Sequence, residues 1–174
     1  MRLYLMRHGE AEPGLDYDSE RALTARGHAN NLSVARQWRT RIPHIHIAYC
    51  SPYLRAQQTA ADLLSIIPEL EFRNGDWLIP SAAVATVFHQ LSAASASEKQ
   101  VAAVAGASNS SDVKKNASQD ILFVGHNPLL SQVWNDLLNG NGHHRFGLST
   151  SHLVSIDAAV LASACGSFEY TISP

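Results

Sequence analysis

Cysteine is scarce. Only Cys50 and Cys165 occur in 174 residues, far apart and without the paired spacing of a zinc site or a redox motif, so buried, reduced thiols are expected and a disulfide scaffold is excluded. Charge is also sparse. At 16% Asp, Glu, Lys and Arg, with a formal net charge of −2 and a pI near 6.5, the chain lacks the basic face that nucleic acid requires, so any anion site must be local. No apolar run approaches the roughly 20 residues that span a bilayer, and the N-terminus lacks the pattern of a signal peptide. A soluble cytoplasmic protein is expected, with neither membrane nor nucleic acid as partner.

What remains is enough for one ordinary domain with a sizeable core, covering 1–174. Leu3-Tyr4-Leu5-Met6 is an early buried strand that stops abruptly at Arg7-His8-Gly9, and chemistry is expected at that stop. An acidic loop with Pro13 and Gly14 follows. Thr24 then caps a helix predicted over 25–41, with Leu32, Ala35, Trp38 and Ile42 at helical spacing and Pro43 as its stop. Gly27 in its first turns costs about 1 kcal/mol relative to alanine, which points to close packing there.

Ile45, Ile47 and Tyr49 alternate with His46, Ala48 and Cys50 as in a strand. Ser51 at the N-cap and Pro52 at the first helical position then predict a helix that carries Arg55 about one turn inside it. A short strand and loop over 69–79 and a helix over 81–91 come next. Residues 92–118, rich in Ala, Ser, Asn and Lys, are read as a mobile insertion with a weak helix near 98–105. Asp120 to Val124 is an uninterrupted apolar strand that runs into Gly125-His126-Asn127-Pro128, where Asn127 caps and Pro128 starts a last helix ended by Asn139-Gly140. Two further strands, around 152–157 and 168–172, flank a glycine turn at Gly166.

Strands separated by helices predict a three-layer α/β/α domain with a mostly parallel sheet and an antiparallel edge near the C-terminus. In such sheets ligands bind beyond the carboxyl ends of the strands. Three of those ends carry Arg7-His8, Arg55 and His126. Guanidinium groups match phosphate geometry, and helix N-termini attract anions, so a phosphoryl group is the natural guest. Neighbouring positive charge disfavours imidazolium, which leaves His8 neutral and able to attack phosphorus, with His126 donating to a phosphoryl oxygen.

These residues resemble a known family. Leu-Met-Arg-His-Gly-Glu-Ala at 5–11, Ser-Pro-Tyr-Leu-Arg-Ala-Gln-Gln-Thr-Ala at 51–60 and Val-Gly-His-Asn-Pro at 124–128 resemble the motifs of the histidine phosphatase, or phosphoglycerate-mutase-like, superfamily. Within it they are most similar to the SixA-like bacterial phosphohistidine phosphatases, whose Arg-Pro-Leu-Thr segment is matched by Arg21-Ala22-Leu23-Thr24 apart from Ala22. The resemblance implies that His8 is the nucleophile that becomes phosphorylated. It further implies that Arg7 and Arg55 clamp the phosphate, that His126 completes the pocket, and that Arg21 and Gly9 are further phosphate ligands. No cofactor and no metal are implied. The segment Phe146 to Ser151 corresponds only loosely, and no role is carried over to it.

Many superfamily enzymes protonate an alcohol leaving group with an acidic residue after the third strand. Asp76 is the nearest candidate here, and a turn aspartate is the simpler reading of it. A phosphorus–nitrogen bond to imidazole breaks more easily than a phosphate ester, so the lack of a clear acid favours phosphohistidine on a protein, such as the histidine phosphotransfer domain of a sensor kinase. A monomer is expected. The alternatives are a small-molecule phosphatase or mutase, disfavoured by the few lysines (Lys99, Lys114, Lys115) in 92–118, and a phosphohistidine-binding module without turnover, disfavoured by intact His8 and His126. His44/His46 and His143/His144 are weighed as metal pairs and set aside for want of a completing carboxylate or thiol. His28, His89 and His152 read as surface or satisfied histidines.

Overall fold

The computed structural model describes residues 1–14, 17–42, 47–92, 120–140, 146–158, 160 and 162–174. Six strands form one sheet: β1 Arg2–Arg7, β2 Ile47–Cys50, β3 Glu71–Asn74, β4 Ile121–Gly125, β5 Leu153–Ala158 and β6 Gly166–Ile172. Their spatial order is β3-β2-β4-β1-β5-β6. The first four are mutually parallel, whereas β5 and β6 are antiparallel additions. The expected mixed α/β sheet, mostly parallel with an antiparallel edge, is therefore observed.

Alternation along β1 explains the layers. Leu3 and Leu5 join one apolar cluster with Tyr49, Phe123, Val154 and Ile156, while Tyr4 and Met6 join a second with Ala48, Leu122 and Val124, because successive side chains leave opposite faces of a strand. The second face is covered by α1 (Ala25–Arg39) and α2 (Leu54–Ile66). There the buried Trp38 meets Tyr4 edge-on with ring centroids 5.1 Å apart. The first face is covered by α3, helical over 84–92, and by α4 (Leu129–Asn139). β1, β2 and β4 are buried on both faces apart from the two ends of β1, which is why β1 and β4 read as continuous apolar runs, whereas the alternation expected of β2 is absent because Ala48 and Cys50 are buried as well as Ile47 and Tyr49.

Thr24 caps α1 by accepting the Gly27 N–H at 3.0 Å. The close packing expected at Gly27 is present: a Cβ there would lie 2.2 Å from the Glu10 carbonyl oxygen. Gly140, at φ 72° and ψ 180°, ends α4 in a positive-φ conformation that glycine adopts most readily.

Several local expectations shift. α2 starts at Leu54 with Tyr53 as its N-cap, because the Ser51 N–H still bonds the Val124 carbonyl at 3.0 Å as an extension of the sheet. Arg55 is therefore the second helical residue, not one turn inside. α4 has Pro128 at its N-cap rather than as its first residue, because the Asn127 carboxamide is engaged elsewhere, with the Leu148 carbonyl and the Ser131 hydroxyl. Gly166 opens β6, and the turn before it bends at Ala164, φ 57°. Cys50 is buried as expected, with burial pushing its thiol up to about 12, but Cys165 is exposed, since it lies in the hairpin turn outside both clusters. Pro43, most of the insertion, and the pairs His44/His46 and His143/His144 lie outside the described residues.

Candidate functional site

Sheet order assembles the site. β4 runs between β1 and β2, and the registers Arg7↔Gly125 and Cys50↔Val124 end the three strands level with one another. One step further, the His8 N–H bonds the Gly125 carbonyl at 3.0 Å. His8 and His126 thus leave adjacent strands side by side, with ring centroids 4.9 Å apart. Arg55 arrives from the start of α2 and donates its Nε–H to His8 Nε2 at 3.2 Å.

The His8 ring has a defined orientation. Its Nδ1 lies 2.7 Å from the Gly9 carbonyl oxygen. A carbonyl can only accept, so Nδ1 carries the proton and Nε2 carries the lone pair that meets Arg55. His8 is pushed down to about 4, first by burial, against the Gly9 hydrogen bond, and then by Arg55, Arg7 and Arg21. The imidazole is neutral at pH 7, as expected from the sequence, but withdrawal from water contributes more to this than the arginines do.

His126 is buried and pushed down to about 2 by burial, then by His8 and Arg55. Its Nε2 is 2.8 Å from Ser51 Oγ, and its ring lies against Tyr53 at a centroid distance of 5.0 Å. His126 Nδ1 and Arg7 Nε are buried polar atoms without a hydrogen-bond partner among the described residues. Arg7 Nη1 donates to the Leu148 carbonyl at 2.9 Å. Burial and then Arg55 hold the Arg7 guanidinium below its ordinary range.

Arg21 and Arg55 meet on Asp18. Arg21 Nη1 donates to Asp18 Oδ1 at 3.0 Å and Arg55 Nη2 to Asp18 Oδ2 at 2.9 Å, while Arg55 Nη1 bonds the Asp18 carbonyl. The Arg55 guanidinium also stacks over Tyr53, 5.0 Å from the ring centroid. Burial would raise the Asp18 carboxyl, but hydrogen bonds from the two arginines outweigh it and hold the group below the usual aspartate range. Arg21 is fixed from behind by the Glu12 carbonyl, 2.7 Å from its Nε.

The residues expected at the site are brought together, with one change of part. Gly9 gives its N–H to Thr59 Oγ1 at 3.1 Å and its carbonyl to His8, so its N–H is engaged inside the protein rather than offered to an anion. Asp76 accepts from Asn74 Nδ2 at 2.8 Å within its own exposed turn, the bond of a turn aspartate. Asp18, Ser51, Thr59 and the Leu148 carbonyl were not singled out from the sequence. Thr59 stands inside the second motif and Asp18 three residues before Arg21, and those spacings were the available signal. Among the described residues no group of three or more His, Cys, Asp or Glu could hold a metal ion, and no helix is long and apolar enough to cross a membrane.

Comparison with known proteins points the same way. The family model of the histidine phosphatase superfamily (branch 1) matches residues 3–79, the part that holds Arg7, His8, Arg21 and Arg55. The chain is similar to the structure of the protein histidine phosphatase SixA complexed with tungstate, with a TM-score of 0.72 and 23% identity over 100% of this chain and 97% of that one. It is similar to a putative phosphohistidine phosphatase SixA from Agrobacterium tumefaciens, with a TM-score of 0.73 and 18% identity over 99% and 97%. It is also similar to a putative alpha-ribazole-5'-P phosphatase from Escherichia coli, with a TM-score of 0.63 and 20% identity over 99% and 97%. Curated proteins gave no match by sequence. The resemblance to the histidine phosphatase superfamily is thus carried by the matched segment 3–79, and the likeness to these solved structures shows a shared fold.

Proposed function

We propose that this protein is a histidine phosphatase that removes phosphoryl groups from protein phosphohistidine by way of a covalent phosphohistidine on His8. The observation that carries the reading is the His8 ring itself: neutral, with its proton on Nδ1 toward Gly9 and its lone pair on Nε2 beside Arg55. In the first step the Nε2 lone pair forms a bond to phosphorus while the bond from phosphorus to the substrate imidazole breaks, and the departing imidazole takes a proton from solvent. In the second step water attacks phosphorus, the bond to His8 breaks, and inorganic phosphate leaves. Arg55, Arg21 and Arg7 stabilise the equatorial oxygens. His126 Nδ1 and Arg7 Nε, which lack partners among the described residues, are the atoms best left to meet them.

The leaving group is inferred from the carboxylates. Asp76 is engaged in its turn, and Asp18 is ionised and committed to two arginines, so neither serves as a ready proton donor to an alkoxide. An imidazole leaving group needs the least help. The proposed setting is cytoplasmic signal transduction, with a histidine phosphotransfer domain of a sensor kinase as substrate and the protein acting as a monomer. No metal takes part, and chelation leaves the rate unchanged. The fold similarity to an alpha-ribazole-5'-P phosphatase favours one other reading, a small-molecule phosphate ester as substrate.

A phosphorylated histidine phosphotransfer domain and a panel of phosphate esters, each offered to wild type and to His8→Ala, test both. Wild type is expected to release phosphate from the protein and to trap acid-labile label on His8, and His8→Ala to lose activity by about 10³-fold or more. Turnover of esters alone would reverse the ranking, and full activity in His8→Ala would end the mechanism.

A further inference from the structure

Behind the nucleophile lies a closed ring of hydrogen bonds. The peptide group joining His8 to Gly9 is held at both ends: its carbonyl accepts the Ser151 N–H at 3.2 Å, and its N–H donates to Thr59 Oγ1 at 3.1 Å. Both holders are tied to one side chain. Ser151 Oγ donates to Asn31 Oδ1 at 2.8 Å, and Asn31 Nδ2 donates to Thr59 Oγ1 at 3.3 Å. Asn31, Thr59 and Ser151 have no solvent exposure, and they come from α1, α2 and the turn before β5 respectively.

The ring has one self-consistent arrangement. Thr59 Oγ1 spends its proton on the Arg55 carbonyl at 2.7 Å, so it must accept from both Gly9 and Asn31. The second hydrogen of Asn31 Nδ2 goes to Asp62 Oδ2 at 2.9 Å, which leaves Asn31 Oδ1 as the acceptor for Ser151. Every donor and acceptor of the Asn31 carboxamide is directed. The approach is close as well: a Cβ on Gly9 would meet Asn31 Nδ2 at 2.8 Å and Oδ1 at 2.9 Å. Ser151 reaches the ring from φ 60°, a conformation that costs a non-glycine residue energy and persists where surrounding contacts enforce it.

We infer that Asn31, acting through Thr59 and Ser151, is a positioning residue for the nucleophile: the ring fixes the His8–Gly9 peptide group and with it the Gly9 Cα, from which the next carbonyl, that of Gly9, reaches His8 Nδ1 and keeps the proton there. If Gly9 shifts, its carbonyl leaves Nδ1, the proton can move to Nε2, and the lone pair is lost from the reacting side. The same ring holds the Arg55 carbonyl, so both partners of the Nε2 contact are referenced to one frame. The catalytic consequence rests on the phosphohistidine mechanism proposed above; the tautomer consequence does not.

The test uses the full chain as wild type, Asn31→Asp, Thr59→Val and Thr59→Ser. Nitrogen-15 NMR of His8 reads the tautomer, and turnover of a phosphorylated histidine phosphotransfer domain reads kcat and KM. Wild type and Thr59→Ser are expected to show the Nδ1–H tautomer alone. Asn31→Asp and Thr59→Val should show a mixed tautomer and a kcat lower by roughly ten- to a hundredfold with KM changed less than threefold, since a small displacement of a reacting group acts on that scale. Thr59→Val keeps side-chain shape and guards against Asn31→Asp failing to fold. An unchanged tautomer in folded Thr59→Val would overturn the inference, as would a loss carried by KM alone. If wild type turns over no phosphohistidine but the tautomer still shifts, the phosphohistidine reading fails and the positioning of His8 stands.

Discussion

β1 and β6 are both strands of one sheet, yet one is buried along its length and the other is largely exposed. β1, β4 and β2 lie side by side and parallel, covered by helices on both faces, so their residues alternate between two apolar clusters and their carboxyl ends coincide. In the β5–β6 hairpin β5 runs against β1 and β6 runs back against β5. β5 is almost entirely buried, but among the described residues no side chain of the hairpin hydrogen-bonds His8 or Arg55. What this half of the molecule gives the site comes from the segment leading into β5: the Leu148 carbonyl to Arg7 and Ser151 to the His8–Gly9 peptide. Parallel strands concentrate chemistry because their ends point one way; antiparallel strands divide their ends between two edges and here serve as support.

This division can be broken from either side. The largest effect is expected at the parallel edge, where Arg55→Ala removes the group that meets both His8 and Asp18. A fall in kcat/KM of about 10²–10³ is expected, as for loss of one preorganised donor, with the folded state retained by circular dichroism. On the antiparallel side Ile156→Ala, at a fully buried position of β5, should cost about 2–5 kcal/mol in denaturant unfolding while the activity of the folded fraction stays at the wild-type value. A loss of intrinsic activity there would show that the hairpin does more than support.

Acid distinguishes the two halves more gently. His8 is depressed from its ordinary 6.5 to about 4, so between those values the unfolded chain binds more protons than the folded one. Stability from this group is therefore fully present above about 6.5, is lost progressively as the pH falls toward 4, and changes no further below. Urea midpoints of wild type and His8→Gln across this window should converge as the pH falls, and parallel lines would show that His8 titrates at its ordinary value. Availability of the Nε2 lone pair follows the same sign, since protonation of Nε2 near pH 4 removes it.

Much of this was legible before folding was considered. Apolar runs that end in Arg7-His8 and Gly125-His126 read as buried strands with polar ends, because a parallel strand has no solvent face to encode. The first helical residue of α2 and α4 was misplaced by one or two positions, because Ser51 and Asn127 suit a cap equally well but are claimed by His126, Leu148 and Ser131 from distant parts of the chain. Asp18 could not be told from the other acids of its loop, since only the arrival of Arg55 from α2 makes it different.

The sequence by itself determined the fold class and the placing of Arg7-His8 and His126 after buried strands and of Arg55 in a following helix, because periodicity and turn residues are local properties. The tertiary structure decided that β4 lies between β1 and β2, which sets His8 beside His126. It also decided which nitrogen of His8 holds the proton, and that Asn31, Thr59 and Ser151 close a ring behind it. Those depend on hydrogen bonds between residues as far apart as His8 and Ser151, and their directions are fixed only when every donor and acceptor has met its partner.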